Sequence, residues 1–208
     1  MPRKNIIRSS ESPYHICSRS NHKIWFAVEL SKVWELSLES LVIANQKAPI
    51  HLHAFVLMSN HYHLVIDTPD ANVDKFMYEF NKNFSLRLRV ASGMINRMLG
   101  GRYKWTLVKD KSYYYQILKY VYLNPIKAGL VRDARQYPYS TLHLETIGKK
   151  FPIPCRPYTD VFAEKFINWV HQCHSQEQVD SIKKGLLRGE FKYTGTRQQQ
   201  LPPQFDFF

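Results

Sequence analysis

His61 and His63, separated by one residue, are the first side chains in this chain whose types and spacing could do chemistry. They lie in the run HYHLVIDT, whose composition predicts a β-strand. Residues two apart in a strand project to the same face, so two imidazoles would lie side by side, with Tyr62 on the opposite face. Two adjacent imidazoles form half of a metal site. Two ordinary strand histidines would show the same pattern, so both interpretations stand at this point.

A second pair, His51 and His53, competes for the same role. The residues on either side of 59–60 predict a β-hairpin with a two-residue loop. On the register that such a loop sets, odd-numbered residues of the first strand face away from His61 and His63. The two pairs then could not share one metal ion, although a one-residue slip would reverse that conclusion.

The run SYYYQILKYVYLN predicts a helix that ends at Asn124, because a residue before proline avoids helical backbone. Tyr120 and Asn124 are four residues apart and share one shoulder of its apolar stripe. Tyr122 falls on the other shoulder, roughly 160° from Tyr120. Tyr120 and Asn124 can therefore address one site, where the amide oxygen of Asn124 could coordinate a cation. The alternative is a packed tyrosine and an asparagine that only ends the helix.

The remaining pattern alternates strands with helices, but one strand pair is a tight hairpin. That arrangement favours an α+β fold with a largely antiparallel sheet and helices packed against it. A proline-rich linker at 151–160 divides a catalytic domain, 1–150, from a C-terminal extension, 151–208, that is helical and then disordered. The predicted strands are 13–20, 50–58, 61–68 and 102–109, and the predicted helices are 27–45, 70–98, 112–124, 160–174 and 175–188.

Composition indicates a polyanionic partner. Lysine and arginine number 29 against 17 aspartate and glutamate, giving a net charge of +12, which attracts nucleic acid. Aromatic residues reach 14%, and rings between basic side chains are how single-stranded nucleic acid is held. A basic domain with an aromatic core would show the same composition.

The sequence also argues against membrane-spanning, secreted and zinc-binding proteins. There is no apolar run long enough to span a membrane, and the basic N-terminus lacks the apolar region of a secretory signal. We therefore expect a soluble, cytoplasmic protein without a membrane partner. The three cysteines form no C-x-x-C pair. The group His171, Cys173 and His174 could suggest zinc, but no fourth ligand is evident.

Several ordered blocks resemble those of the small single-tyrosine (Y1) transposases of the HUH superfamily, in particular the branch called REP-associated tyrosine transposases. The blocks are PYHICSRSNHKIWF, HAFVLMSNHYHLVIDTP, GRYKWTLVKD, KYVYLNPIKAGLV and YPYSTLHLETIGK, from about Tyr14 to about Lys149. The chain departs from the family pattern at Ser59, where a proline is usual, and at Tyr139, where a tryptophan is usual. Neither residue carries a proposed catalytic atom.

The resemblance implies a ferredoxin-like HUH fold and a site assembled from four residues. His61 and His63 would bind Mg²⁺ or Mn²⁺, Asn124 would be the third ligand, and Tyr120 would attack DNA to form a 5′-phosphotyrosine. It also implies a bacterial, nucleoid-associated protein that acts on single-stranded or hairpin DNA as a monomer or a homodimer. Imidazole suits zinc or iron better than magnesium, so the choice of metal rests on the resemblance.

Four basic residues are candidates for contacts to DNA phosphates, and Arg102 and Lys104 come just before the nucleophile helix. Solvated surface charge is the alternative for each of them. The four candidates for phosphate contacts are Arg19, Arg102, Lys104 and Lys109.

Two rival functions are a metal-dependent hydrolytic nuclease, in which water attacks, and an inactive DNA-binding descendant.

Overall fold

A computed structural model describes residues 5–95, 97–172 and 174–192. A four-stranded antiparallel sheet lies at its centre, with the strands in the order β2-β3-β1-β4. The strands are β1 (Tyr14–Arg19), β2 (His51–Leu57), β3 (His61–Asp67) and β4 (Lys104–Leu107), and the helices are α1 (Leu30–Lys47), α2 (Val73–Ser92), α3 (Lys111–Lys127), α4 (Thr141–Thr146), α5 (Glu164–His171) and α6 (Gln176–Leu186). The predicted α+β class with an antiparallel sheet is confirmed.

The hairpin β2–β3 closes with the predicted register. Val56 pairs with His63 and Ala54 pairs with Val65, and the Met58 amide donates to the His61 carbonyl at 2.7 Å. A β-bulge between Leu52 and Ala54 then shifts the register by one residue. An inserted residue reverses which side chains face a given side of the sheet.

The predicted separation of the two histidine pairs by face is therefore wrong. His51 pairs with Asp67, an odd-numbered residue of β3, and so lies on the same side of the sheet as His63. His53 reaches Tyr114 of α3 on that side as well. The pairs are nevertheless kept apart, because His51 and His61 lie at opposite ends of the hairpin.

One side of the sheet packs against α1 and α2. The stripe predicted for α2 is buried there, with three phenylalanines stacked along the helix at 6.2 and 5.6 Å between ring centroids. The helix ends at Gly93, whose φ of +68° suits a glycine, so it is shorter than predicted. Ile95, expected as a possible continuation of the stripe, is 91% exposed. The buried α2 stripe comprises Phe76, Phe80, Phe84 and Leu88.

The other side of the sheet packs against α3, on which α5 and α6 rest in turn. Segments from the C-terminal half also pair with both sheet edges. The Leu57 amide of β2 donates to the Tyr139 carbonyl at 2.9 Å, and the Leu107 amide of β4 donates to the Gly189 carbonyl at 2.8 Å. Covered edges cannot pair with another chain. The division at residue 150 stays a prediction, and the disorder expected at the C-terminus falls largely on 193–208, outside the described residues.

Helix α3 does not end at Asn124 as predicted but continues through Pro125 to Lys127. Proline has no amide hydrogen, so the carbonyl of Val121 loses its helical partner. The side-chain amide of Asn124 donates to that carbonyl at 3.3 Å and to the Tyr120 carbonyl at 2.8 Å. Asn124 thereby replaces the bond that Pro125 cannot make, and the helix tolerates the proline.

A buried polar network joins the far end of the hairpin to α3 and to the segment after α4. His53 contacts the Tyr114 hydroxyl at 2.9 Å and Asp67 at 3.1 Å, and the Tyr158 hydroxyl donates to Asp67 at 2.6 Å. Burial alone would raise the pKa of Asp67, but the hydrogen bonds from His53 and Tyr158 and the nearby His51 outweigh it, so the pKa is lowered. This end of the sheet is thus fixed by a satisfied polar cluster.

Replacing Asp67 with alanine is expected to lower the free energy of unfolding by about 3 kcal/mol, because buried partners lose an ionised acceptor. Urea denaturation measures this, with the exposed Asp70→Ala as a control that changes it by less than about 0.5 kcal/mol. A carboxylate whose pKa is lower in the folded than in the unfolded protein stabilises the folded state at pH values above the unfolded pKa of about 3.9. That stabilisation is lost as the pH falls through the folded pKa. The destabilisation should therefore shrink in acid; an equal loss at all pH values would contradict the account.

Among the described residues, no helix is long and apolar enough to cross a membrane.

Candidate active site

The antiparallel register of three strands gathers the candidate residues on the α3 side of the sheet. Arg19 of β1 lies opposite His61 of β3, and Cys17 lies between His63 and Lys104 of β4. Paired residues in adjacent strands project to the same face, so these five side chains form one group. The strand alternation predicted for His61 and His63 is confirmed, since Tyr62 is buried on the opposite side.

Helix α3 places Tyr120 over this group. The Tyr120 ring is 5.7 Å from the His63 ring and perpendicular to it. Tyr122 points elsewhere, into the core, where its hydroxyl lies 3.2 Å from the Thr141 hydroxyl. The prediction that the two tyrosines lie on different sides of the helix is confirmed, and Tyr120 is the one that contacts His63.

The two histidines are set up to offer lone pairs. The Nδ1 of His61 is 2.7 Å from the side-chain oxygen of Asn60 and must donate to it, which leaves Nε2 of His61 as the acceptor. Burial, together with the charge of Arg19, lowers the pKa of His61 to about 4. Burial and the neighbouring histidines and Arg19 hold the pKa of His63 well below its usual value. Both rings are therefore neutral at pH 7, the form that binds metals.

His15 is a further member of the site that sequence reasoning missed. Its Nε2 lies 2.9 Å from Nδ1 of His63, and it is 3% exposed. Burial lowers the pKa of His15 to about 3, so this ring is neutral too. When His63 donates through Nδ1, its lone pair is on Nε2, which is buried and has no hydrogen-bond partner among the described residues. His15 thus holds His63 in one orientation.

We expect His15→Leu to weaken Mn²⁺ binding about 10- to 100-fold, the usual effect of removing a residue that orients a metal ligand. Glutamine can accept the same hydrogen bond, so His15→Gln should restore most of the affinity. Electron paramagnetic resonance titration measures free Mn²⁺, and thermal unfolding shows whether each variant is folded. Equal Mn²⁺ affinity in His15→Leu and the wild type would contradict this role.

These residues fit a divalent cation, although none of the described residues forms a cluster of three or more His, Cys, Asp or Glu side chains with metal-binding placement. The Nε2 atom of His63 is buried and has no hydrogen-bond partner among the described residues, which is the state expected of an atom that binds a metal ion. Asn124 lies one turn after Tyr120, and its oxygen takes no part in the bonds to the α3 carbonyls. A third ligand from Asn124 stays a prediction. Of the zinc alternative, His171 Nε2 accepts from the Ala134 amide at 3.2 Å, and Cys173 lies outside the described residues, so that alternative is not tested.

Tyr120 is not ionised in this environment. Burial raises its pKa to about 12, with Cys17 adding to the shift and Arg19 opposing it. The hydroxyl therefore needs a cation or a base before it can attack. Lys127, which sequence reasoning also missed, carries its ammonium group 5.9 Å from the centre of the Tyr120 ring. Its position seven residues after Tyr120, two turns along α3, is the signal that could have indicated it.

Three of the four predicted DNA contacts lie together. Arg19, Arg102 and Lys104 are exposed and line one cavity of about 370 Å³, to which Cys17 of the same group also contributes. Lys109 lies beyond the other end of β4 and makes an ion pair with Glu190 at 2.6 Å. The structure thus places Lys109 away from the other three basic residues.

The fold resembles that of one class of protein, the single-tyrosine transposases. The resemblance is seen in the solved structure of a REP-associated tyrosine transposase bound to a REP hairpin, which superposes with a TM-score of 0.59 at 17% sequence identity. The match covers 71% of this chain and 86% of the other. No family model matches the chain.

A particular relative is the REP-associated tyrosine transposase of Escherichia coli (strain K12). It is 22% identical over 130 residues, which cover 60% of this chain and 73% of the relative. The resemblance to the REP-associated branch inferred from the sequence blocks is therefore confirmed.

Proposed function

We propose that this chain is a transposase-type enzyme that cuts and rejoins single-stranded or hairpin DNA through Tyr120. The observation that carries the proposal is the contact of the Tyr120 ring with His63, next to His61, while Tyr122 of the same helix points into the core. The similarity to REP-associated tyrosine transposases supports it. Because Tyr120 contacts His63 of the same chain, we propose that a single copy contains a complete site.

The basic residues hold the substrate. Arg19, next to His61, and Lys104, across β1 from His63, would contact the phosphates on either side of the bond to be broken. Arg102 extends this positive surface along the same cavity. Strand pairing fixes the backbone at Arg19 and Lys104, so both side chains start from set positions on either side of the phosphodiester.

In the reaction, the Tyr120 oxygen attacks the phosphorus and the bond to the 3′-oxygen breaks. The phenol gives up its proton to solvent, the departing 3′-oxygen takes one from solvent, and the DNA 5′ end stays attached to Tyr120. The phosphodiester energy is kept, so a later 3′-hydroxyl can reverse the step without a nucleotide cofactor. Arg19 and Lys127 place positive charge near the phenol and the phosphate, which favours the ionised oxygen.

His61 and His63, with Asn124, would hold a divalent cation, Mg²⁺ or Mn²⁺, which when bound neutralises charge on the phosphate oxygens. His15 contributes by fixing the His63 ring, and the burial of His63 and partial burial of His61 keep both rings neutral and available.

The test mixes the full chain with Mg²⁺ or Mn²⁺ and hairpin DNA from its own genomic neighbourhood, labelled so that the 3′ portion can be followed. We expect label to migrate with the protein on a denaturing gel, only when the metal is present. Cleaved DNA without label on the protein would instead indicate hydrolysis by water. Binding without cleavage, across the hairpins of that neighbourhood, would indicate an inactive descendant.

A further inference from the structure

Two adjoining cavities lead away from the candidate active site. The first, of about 370 Å³, is lined by residues 17–23 and the start of the β4 segment, and includes Arg19 and Lys104. The second, of about 730 Å³, lies between α2 and the loop that enters β4. Both are lined by Gly101 and Arg102, so they adjoin at these two residues. We refer to the two cavities together as the α2 channel.

The α2 channel is positively charged along its length. Beyond Arg19 and Lys104 come Arg102 and then, in the second cavity, Lys82 and Arg97, all exposed. Among the described residues that line the channel, Asp74 supplies the one carboxylate, and it is paired with Arg8 at 2.6 Å. A line of cations that starts at the candidate site fits a chain of phosphates.

The second cavity also offers an exposed aromatic ring. Tyr78 is 63% exposed, and the Lys82 ammonium lies 5.6 Å from the centre of its ring, one turn further along α2. An exposed ring beside a cation is the arrangement on which unpaired bases stack while their phosphates are neutralised. Bases in a duplex are already stacked on each other, so this feature favours a single strand.

We propose that single-stranded DNA flanking the cleavage position lies in the α2 channel, with phosphates against Arg97 and Lys82 and a base stacked on Tyr78. This inference rests on the proposed function for its starting point, because the channel begins at Arg19 and Lys104. It extends that function by assigning a binding surface on the α2 side of the sheet. The hairpin stem, being a duplex, would lie outside the channel.

The test measures binding alone, in EDTA, so that its result does not depend on cleavage. Fluorescence anisotropy with oligothymidylate of about 4 and about 16 nucleotides gives the affinity gained by length. Tyr78→Ala is expected to weaken binding of the longer strand about tenfold, the effect of losing one stacked base. Lys82→Ala and Arg97→Ala should each reduce the salt dependence of that affinity by about 0.7 in log–log slope.

Lys47→Ala is the matched control, because Lys47 is an exposed lysine that precedes β2, on the opposite edge of the sheet. It should leave binding of the longer strand unchanged. Wild-type affinity in all three channel variants would overturn the proposal, as would equal losses for the 4-nucleotide strand or tighter binding of a duplex of the same length. If the proposed function is wrong, the wild type forms no covalent adduct with DNA. The differences in DNA affinity between the wild type and the three channel variants would still be seen.

Discussion

Tyr120→Phe is expected to lower the rate of strand cleavage at least about a thousandfold, because it removes one oxygen, the proposed nucleophile, and little else. The ring packs against His63 and His15 through its faces and edges, so phenylalanine keeps those contacts. DNA affinity should stay within about twofold, since phosphate contacts come from basic side chains. Single-turnover cleavage of labelled DNA and anisotropy measure the two quantities.

Tyr122→Phe is the control, since it removes a phenol oxygen from the same helix on the core side. It should cleave at close to the wild-type rate, with a small loss of stability from the missing hydrogen bond to Thr141. If Tyr120→Phe still cleaved and Tyr122→Phe did not, the assignment of the nucleophile would be wrong. If both variants cleaved normally, water would be the attacking group.

His63→Ala is expected to weaken Mn²⁺ binding by at least about 100-fold and to stop metal-dependent cleavage, because a proposed ligand is removed altogether. His63 is buried, so thermal unfolding is measured in parallel to show that the variant is folded. The metal affinity is read by titration of folded protein, independently of activity.

His51→Ala is the matched control for the loss of a histidine from the same hairpin. His51 lies at the other end, 2.8 Å from Asp67, and is far from Tyr120 along the strands. It should bind Mn²⁺ as the wild type does. Loss of metal in His51→Ala, with binding retained in His63→Ala, would move the metal site to the far end of the hairpin.

Local patterns predicted much of the geometry of the candidate site. The period of two along β3 placed His61 and His63 on one face, and the two-residue loop set the pairing of Val56 with His63. The period of 3.6 along α3 separated Tyr120 from Tyr122, as the structure shows. These features depend on residues close in sequence, for which spacing and turn chemistry suffice.

Two errors came from local exceptions that spacing does not reveal. The bulge at His53 is stabilised by contacts to Asp67 and Tyr114, the latter 61 residues away, so the hairpin sequence alone does not specify it. The continuation of α3 past Pro125 depends on the Asn124 side chain taking over a backbone bond. The tendency of helices to end before proline does not take that compensation into account.

The residues that were missed belong to pairings between distant segments. His15 is one histidine in a short strand, and its link to His63 spans 48 residues through the β1–β3 pairing. The sequence shows that His15, Cys17 and Arg19 share a face, but not which strand lies beside them. The α2 channel likewise exists because a loop before β4 folds over α2.

The central claim is that DNA becomes attached to Tyr120 through a 5′-phosphate. The most direct measurement digests the covalent complex with protease and nuclease and identifies the modified peptide by tandem mass spectrometry. We predict a nucleotide linked through its 5′-phosphate to Tyr120, in the peptide that also contains Tyr122 and Asn124. A nucleotide on another residue, a 3′ linkage, or cleaved DNA with free 5′-phosphate ends and no modified peptide would contradict it.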